Sequence, residues 1–448
     1  MPRKAIYYIL PLLALLIAAY FVVAAAFPKE LNRFPFFVLL ILLDFYLWFS
    51  IRKRVYALGA TVKYLLGILY WIPFSMVLLL GIASIFINVY IWQPQWATVF
   101  GGIIFITYIA KLFTILVLLA ADIIRITGHV SRFLYHRKKG TPCPEKGSKM
   151  SRAGFLTKLG LIGGGFVLSG LIIGAVRWAY DFRIRREYLR YPLLPGQLHG
   201  LKIVHISDLH LGSWTNRAAM QEAVDAINEE EPDLLFFTGD LVNFVTGEAD
   251  RYKDILAQAN ARYGVYAVLG NHDYGDYVKW ATKAEKEQNL RDLEKLYRDM
   301  GWVLLRNSHA MVNVGNIPLA VLGVENWSSY ERFPSYGDVV MALKGTENAS
   351  FRILLSHDPT HWENIISKHH PNISLTLSGH THGFQFGVEL KNFRWSPAQY
   401  MYRHWAGLYA NPAADTPQYL YVNRGLGMIG YPGRIGIMPE ITVIELIS

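Results

Sequence analysis

The stretch LKIVHISDLH, residues 201–210, sets a short apolar strand directly before two hard metal ligands, Asp208 and His210. The arrangement returns four times. Gly239-Asp240 follows the apolar run 234–238, Gly270-Asn271-His272-Asp273 follows 265–269, Ser356-His357-Asp358 follows 351–355, and Gly379-His380-Thr381-His382 follows 373–377. Short runs of this kind, rich in β-branched and aromatic residues and closed by Gly, Asn or Asp, read as buried strands. Taken singly each cluster is weak, because Ser-Asp-Leu-His also suits a capped turn and a lone histidine is usually an ordinary core or surface residue. Five of them at five strand ends are not coincidence. Side chains at one end of an α/β sheet converge, and such sheets bind ligands outside the carboxyl ends of their strands. A donor set of carboxylate, amide and imidazole without thiolate suits Mn, Fe or Zn better than Mg or Ca.

Around these clusters strand and helix alternate. Residues 183–189 read as a first strand, followed by a turn at Pro192 and Pro195. Met220, Val224 and Ile227 give 216–230 a helical period with Asn216 as its cap, and further helices are expected at 249–261, 290–300 and 362–368. Strands are expected at 302–305, 310–314, 319–324, 419–422 and 441–446. Early βαβ units with later adjacent strands describe a mixed, layered α/β domain.

The chain is 52% hydrophobic and 17% charged over 448 residues, too apolar for a soluble protein of this size. The excess lies in the first 180 residues, where 5–27, 34–51, 65–92, 97–124 and 155–178 are apolar on all sides and long enough to cross a bilayer. The first is not read as a cleavable signal, since a second span follows almost at once. The division expected is a four-helix transmembrane region over 1–128, a basic cytoplasmic loop over 129–154, a fifth transmembrane helix and linker over 155–181, and a catalytic domain over 182–448.

Residues 1–189 hold 22 Lys and Arg against 6 Asp and Glu, and the remainder 22 against 28, so the net charge of +10 belongs to the membrane part. No nucleic-acid partner is expected, because the catalytic half is acidic and lacks interleaved basic and aromatic residues. Arg3, Lys4, Arg52, Lys53, Arg54, Lys63, Arg132, Arg137, Lys138, Lys139, Lys146, Lys149 and Arg152 fall on one side of the spans. By the positive-inside rule that side is cytoplasmic, making this a multi-pass cell-membrane protein with its catalytic domain outside. Arg177, Arg183, Arg185, Arg186 and Arg190, after the last span, pull the other way. Residues 151–158, SRAGFLTK, are similar to a twin-arginine export signal, with Ala153 in place of its second arginine. Cys143 is the only cysteine, so an intrachain disulfide and a thiolate zinc site are both excluded. Asp44 and Lys111 lie mid-span and are expected to pair, since a lone charge there costs about 3 kcal/mol or more.

The series SDLH, GD, GNHD, SHD and GHTH, with LSGHTHGFQ at 377–385 and YVNRGLGMIGYPGRIG at 421–436, resembles the calcineurin-like metallophosphoesterase superfamily, in its membrane-attached bacterial branch. The resemblance covers 182–448 and leaves the first four spans outside. It implies a layered α/β/β/α sandwich, here preceded by an all-α transmembrane region. It also implies two divalent metal ions, one held by Asp208, His210 and His382, the other by Asn271, His357 and His380, with Asp240 bridging. Phosphomonoester, phosphodiester or pyrophosphate hydrolysis by metal-activated hydroxide would follow, on a phosphorylated small molecule or, because the site is tethered to the bilayer that such a substrate shares, on a lipid-linked one. The alternative is a membrane protein that senses metal or phosphate without turnover.

His272 would donate a proton to the leaving oxygen or hold the phosphate. Many relatives orient that ring with an aspartate where this chain has Asn243, and Asp273 is the carboxylate that could substitute. Phe384 stands where relatives often have glycine, and either narrows the site or packs. The aromatic run 393–409 is read as a lipid-facing flap or a packed loop. Arg424 and Arg434 are read as anion ligands or as structural ion pairs.

Overall fold

The computed structural model describes residues 14, 16–25, 27–87, 94–141, 152–391 and 393–448. Arg3, Lys4, Cys143, Lys146, Lys149 and Ser151, and most of the stretch expected to span before residue 16, lie outside the described residues. The chain divides into two compact units, one of Met1–Ile82 with Ile103–Ser169, the other of Ala83–Gly102 with Gly170–Ser448.

Four helices among the described residues are long and apolar enough to cross a membrane: α1 (Phe34–Tyr56), α2 (Ala60–Phe86), α3 (Pro94–Lys139) and α4 (Arg152–Val176). Of the expected span 5–27, the described part is a ten-residue helix, Leu16–Ala25. The loop expected from residue 129 is helical as far as Lys139. His136, Arg137, Lys138 and Lys139 fill the last turn of α3, where positive charge meets the negative end of the helix dipole, so the basic run extends the helix instead of breaking it. Mid-span, Lys111 Nζ lies 2.5 Å from Asp44 Oδ1 and Tyr108 OH donates to Asp44 Oδ2 at 2.6 Å. On α4, Gly160, Gly163 and Gly164 lie against Val117, Phe113 and Thr114 of α3 with no room for a β-carbon, the close approach that small residues allow in membranes.

The strands in chain order are β1 (Arg183–Arg190), β2 (Lys202–Ile206), β3 (Leu234–Phe237), β4 (Val265–Ala267), β5 (Val303–Leu304), β6 (Ser308–Val314), β7 (Ile317–Gly323), β8 (Phe351–Leu355), β9 (Leu375–Ser378), β10 (Val388–Leu390), β11 (Phe393–Trp395), β12 (Gly407–Ala410), β13 (Tyr419–Val422) and β14 (Glu440–Ile447). One six-stranded sheet runs β1-β14-β2-β3-β4-β5 and the other β12-β13-β9-β8-β7-β6, while β10 and β11 form a separate ribbon. Within them β2, β3, β4 and β5 are mutually parallel, as are β7, β8, β9 and β13.

Alternation along each strand makes the layers. Ile203, Leu234 and Phe236 of the first sheet meet Val321, Ile353, Leu355, Leu375 and Leu377 of the second in one buried core. Their neighbours Val204, Ile206, Leu235 and Phe237 face the other way, onto α5 (Arg217–Glu229) and α6 (Lys283–Asp299). Leu322, Leu354 and Leu420 face Trp362 and Ile366 on the outer side of the second sheet. The result is the α/β/β/α sandwich, with apolar side chains on both faces of each parallel segment.

Asn216 caps α5, its Oδ1 accepting from the amides of Ala218 and Ala219 at 3.0 and 3.2 Å. Asn216→Ala should cost about 1 kcal/mol of stability, read as a shift in the denaturation midpoint at constant slope. Two helices differ from expectation. The one at 249–261 shrinks to a 3₁₀ turn, Thr246–Arg251, and a single α-turn, Lys253–Leu256, because the Glu248 carboxylate draws the amides of Gly212, Asn243, Phe244 and Val245 around itself. α6 begins at Lys283, earlier than the expected 290, since its first turns are polar and carry no apolar period, while Thr282 caps them through the Glu285 amide.

Candidate metal centre

Every cluster singled out in the sequence sits just past the carboxyl end of a strand: Asp208 and His210 after β2, Asp240 after β3, Asn271 and His272 after β4, His357 after β8, His380 and His382 after β9. The backbone there is unusual. Asp208, His210, Asp240, His380 and His382 all have φ between 47° and 72°, the left-handed region that side chains avoid. Each such residue costs on the order of 1–3 kcal/mol and persists where the surroundings over-determine it, which happens mostly at functional sites. Five of these eight candidates share the feature.

The side chains converge in two groups, Asp208 with His210 and His382, and Asp240 with His357 and His380, each able to hold a metal ion. In the first group His382 Nε2 lies 3.3 Å from Asp208 Oδ1 and 3.0 Å from His210 Nε2. In the second, His357 Nε2 lies 3.2 Å from both Asp240 Oδ2 and His380 Nδ1. Asp240 Oδ2 is also 3.5 Å from His210 Nε2, so one carboxylate faces both groups. Asn271 is buried, its Nδ2 donates to Tyr277 OH at 2.8 Å, and its Oδ1 has no hydrogen-bond partner. A buried acceptor left unpaired costs about 1–3 kcal/mol, and a cation would remove that cost.

Backbone and side-chain partners fix which ring nitrogen faces inward. His357 Nδ1 donates to Thr238 O at 2.7 Å, leaving Nε2 as the inward lone pair. His380 is turned the other way, with Nε2 3.0 Å from Tyr402 OH and 3.5 Å from Asp358 Oδ2, so Nδ1 faces the group. Asp208 accepts the His380 amide at 3.0 Å through each of its oxygens. The Asp240 Oδ1 accepts the His272 amide at 2.8 Å.

Electrostatics favour cations here. Burial alone would raise the Asp208 and Asp240 carboxyls, but the surrounding histidines outweigh it and hold both below the usual carboxylate range. Burial would lower His357, but Asp240 and Asp208 outweigh it and push it up to about 10. The metal-free pocket thus draws a proton to where a divalent ion would sit. Because the folded-state value is raised, this stabilisation is complete below about 6.5 and is lost as pH climbs through about 10. Metal-free protein should therefore unfold more easily as pH rises across that window, and saturating Mn should flatten the dependence; thermal unfolding with and without Mn reads both.

Some expectations need correcting, and some readings left open are narrowed. His272 is oriented by the main-chain carbonyl of Asn243, 2.8 Å from Nδ1, while the Asn243 amide group donates to Ser213 Oγ at 2.8 Å. Asp273 does not substitute for the missing carboxylate, because its oxygens accept the amides of Asp240, Leu241, Val242 and Gly270. Burial and Asp240 push Asp273 up to about 7. Arg424 and Arg434 are both buried: Arg424 pairs with Glu440 and Glu389, and Arg434 donates to the carbonyls of Arg424, Gly425 and Gly427. They brace the loop that packs on Asp208, where a β-carbon at Gly425 would meet Asp208 Cβ at 2.7 Å. Phe384 is 43% exposed and does not pack into the core. Of the aromatic run, Tyr402 and Trp405 are buried and Phe393 and Tyr400 are exposed. The positioning contacts of Tyr402, Asp358 and Thr238 carried no periodic or motif signal beyond Asp358 following His357.

Residues 201–384 match the family described as calcineurin-like phosphoesterase, and residues 30–178 match the family described as probable calcineurin-like phosphoesterase, transmembrane domain. Of the four spans expected to fall outside the resemblance, 34–51, 65–92 and 97–124 are therefore covered as well. A transmembrane protein with metallophosphoesterase domain from Danio rerio is 33% identical over 261 residues, 56% of this chain and 54% of that protein, so the match spans about half the relative's length. The uncharacterized metallophosphoesterase YkuE of Bacillus subtilis is 29% identical over 309 residues, 67% of this chain and 99% of that protein. The UDP-2,3-diacylglucosamine pyrophosphatase LpxG of Chlamydia trachomatis is 28% identical over 282 residues, 55% of this chain and 83% of that protein.

Proposed function

We propose that this chain, which belongs to the calcineurin-like phosphoesterases and carries their transmembrane domain, uses two divalent metal ions to hydrolyse a phosphate ester or pyrophosphate bond on a lipid-linked substrate. The observation that carries the reading is Asp240, whose Oδ2 faces His357 on one side and His210 on the other, at the meeting of two three-ligand groups. Asp208, His210 and His382 would hold one ion, and Asn271, His357 and His380 the other. Bound there, such a pair of ions would supply an activated water and would neutralise charge on the phosphate during in-line displacement.

The protein's own groups do the rest. His357, through Thr238, and His380, through Tyr402 and Asp358, are held with one nitrogen inward, so little reorganisation is needed on loading. His272 is oriented by a neutral carbonyl, and its ring packs against His210 and Tyr277 with centroids 4.9 and 4.4 Å away; from there it would protonate the leaving oxygen. His272→Ala should lower turnover of an ester with a poor leaving group by about 10²-fold or more and spare one with a good leaving group. Equal losses on both would remove the acid role.

A lipid-linked substrate is supported from two directions. Thr98, near the start of α3, donates to the carbonyl of Gly212 at 2.8 Å, only two residues beyond His210, so the loop of a candidate ligand touches a helix of membrane-crossing length. The relative LpxG acts, by its name, on a diacylated sugar nucleotide. The catalytic domain follows α4 and so, by alternation of the spans, emerges opposite the ends of α1 and α3, whose last turns carry Lys53, Arg54, Lys138 and Lys139; by the positive-inside rule an extracytoplasmic site would follow.

The test uses full-length protein in detergent, stripped with EDTA and reloaded with Mn. Hydrolysis should vanish and return, and an acylated nucleotide diphosphate should be turned over at least about tenfold faster than its deacylated form, because substrate and site share one surface. Undiminished rates after stripping would sink the metal reading. Equal rates on the two substrates would sink the lipid reading alone.

A further inference from the structure

The β10–β11 ribbon is amphipathic. Its register pairs Val388 with Trp395 and Leu390 with Phe393 on one face, and Glu389 with Arg394 on the other. The polar face is fastened down: Glu389 lies 2.5 Å from Arg185 and 2.7 Å from the buried Arg424, and the Arg394 guanidinium sits 5.0 Å from the Trp405 ring centre. The apolar face is bare. Val388, Leu390 and Phe393 are 43%, 65% and 56% exposed, and Phe386, which leads into β10 and packs edge-on to Trp395, is 47% exposed. A fixed ribbon presenting an apolar face in alternation needs a cover.

What lies next to it identifies the cover. Phe386 pairs with Ile435, and Gly387 donates to Ile435 O at 2.9 Å. The segment carrying Ile435 is seated on the two membrane helices at the catalytic end. Tyr431 OH donates to the carbonyl of Leu171, Arg434 N donates to Gly174 O at 3.2 Å, and a β-carbon at Gly102 would meet Pro432 Cγ at 2.5 Å. Leu171 and Gly174 belong to α4 and Gly102 to α3, all within stretches apolar enough for the hydrocarbon layer. One strand further out is the ribbon.

We propose that the bare face of the β10–β11 ribbon, together with Phe386, is immersed in the interfacial layer of the bilayer that α3 and α4 cross, with lipid acyl chains as its cover. Tyr400, 79% exposed and within hydrogen-bonding reach of Trp395 at 3.4 Å, adds an amphipathic ring of the kind that settles at headgroup depth. Lys391, exposed beside Leu390, is placed to meet lipid phosphates. The inference stands whether or not the substrate is a lipid, since it concerns where the domain rests.

The experiment takes the full chain with Cys143→Ser, which removes its only cysteine, and adds Leu390→Cys or Phe393→Cys for a nitroxide label. Both side chains are exposed, so labelling leaves the core untouched. In nanodiscs of phosphatidylcholine and phosphatidylglycerol, collisions with oxygen and with a neutral nickel chelate are compared. Phe166→Cys, on an exposed face of α4, is the lipid reference, and Leu193→Cys, 89% exposed at the turn after β1, is the water reference. Both ribbon labels should follow the lipid reference, with oxygen collisions retained and nickel collisions lost. Nickel collisions equal to those at 193 would put the ribbon in water, and loss of both would mean a second copy or another protein covers it; either result overturns the proposal. No turnover is measured, so failure here leaves the hydrolase reading intact.

Discussion

Asp240→Asn should give a folded protein whose phosphoesterase activity has fallen by a factor on the order of a thousand or more, about 4 kcal/mol of transition-state stabilisation. The native carboxylate is shared: Oδ1 receives the His272 amide at 2.8 Å, and Oδ2 stands 3.2 Å from His357 and 3.5 Å from His210. An asparagine keeps the volume and one acceptor, so the loop should hold. It removes a negative charge that faces both candidate ions and can set an NH₂ against ring nitrogens that need an acceptor or a cation. Metal content should drop with the rate. Hydrolysis of bis(p-nitrophenyl) phosphate by the Mn-loaded full-length protein, with bound metal counted on the same sample, reads both. A variant that keeps two metals and most of the rate would show that Asp240 does not join the groups.

Lys111→Met should destabilise the membrane unit by about 3–5 kcal/mol, the cost of leaving a buried charge without its partner. Asp44 is fully buried, and its two oxygens are taken by Lys111 and by Tyr108 OH, while Tyr70 OH donates to its main-chain carbonyl at 2.6 Å. Without the ammonium, one carboxylate oxygen would face hydrocarbon and aromatic rings. Adding Asp44→Asn should recover most of the loss, because removing both charges from an apolar setting is often neutral. Detergent-solubilised protein unfolded by a graded denaturing detergent gives the comparison. A single variant as stable as the parent, or a double variant no better than the single, would count against the pair as the pin of this bundle.

The strand-end placement of the ligand clusters was legible because it rests on two local signals that coincide, an apolar run and a turn-forming Asp, Asn or His. Their convergence was legible through the rule that parallel strands present their carboxyl ends together. A mixed, layered α/β domain was legible in the alternation of strand and helix, while the α/β/β/α sandwich came from the resemblance; the apolar residues on consecutive positions of β2, β3 and β8 suit strands buried on both faces. The pairing of Asp44 with Lys111 could be anticipated from energy alone, since neither charge is tolerable by itself in a span.

What stayed hidden depends on contacts distant in sequence. Nothing local distinguishes Arg424 as an ion-pair partner of Glu389 and Glu440 from Arg424 as an anion ligand. The orientation of His272 by a main-chain carbonyl leaves no trace in side-chain identity, which is why Asn243 and Asp273 drew attention instead. The first turns of α6 are polar and periodic in nothing, and the three-residue strands β10 and β11 are too short for alternation to show. Loop conformation was equally invisible: that Asp208, His210, Asp240, His380 and His382 share a left-handed backbone could be seen only in three dimensions.

The most direct measurement is an anomalous difference map from crystals of the full-length protein soaked in Mn. Two peaks about 3.5–4 Å apart are expected, with Asp240 between them, Asp208, His210 and His382 around one, and Asn271, His357 and His380 around the other. A single peak, or peaks away from Asp240, would contradict the account.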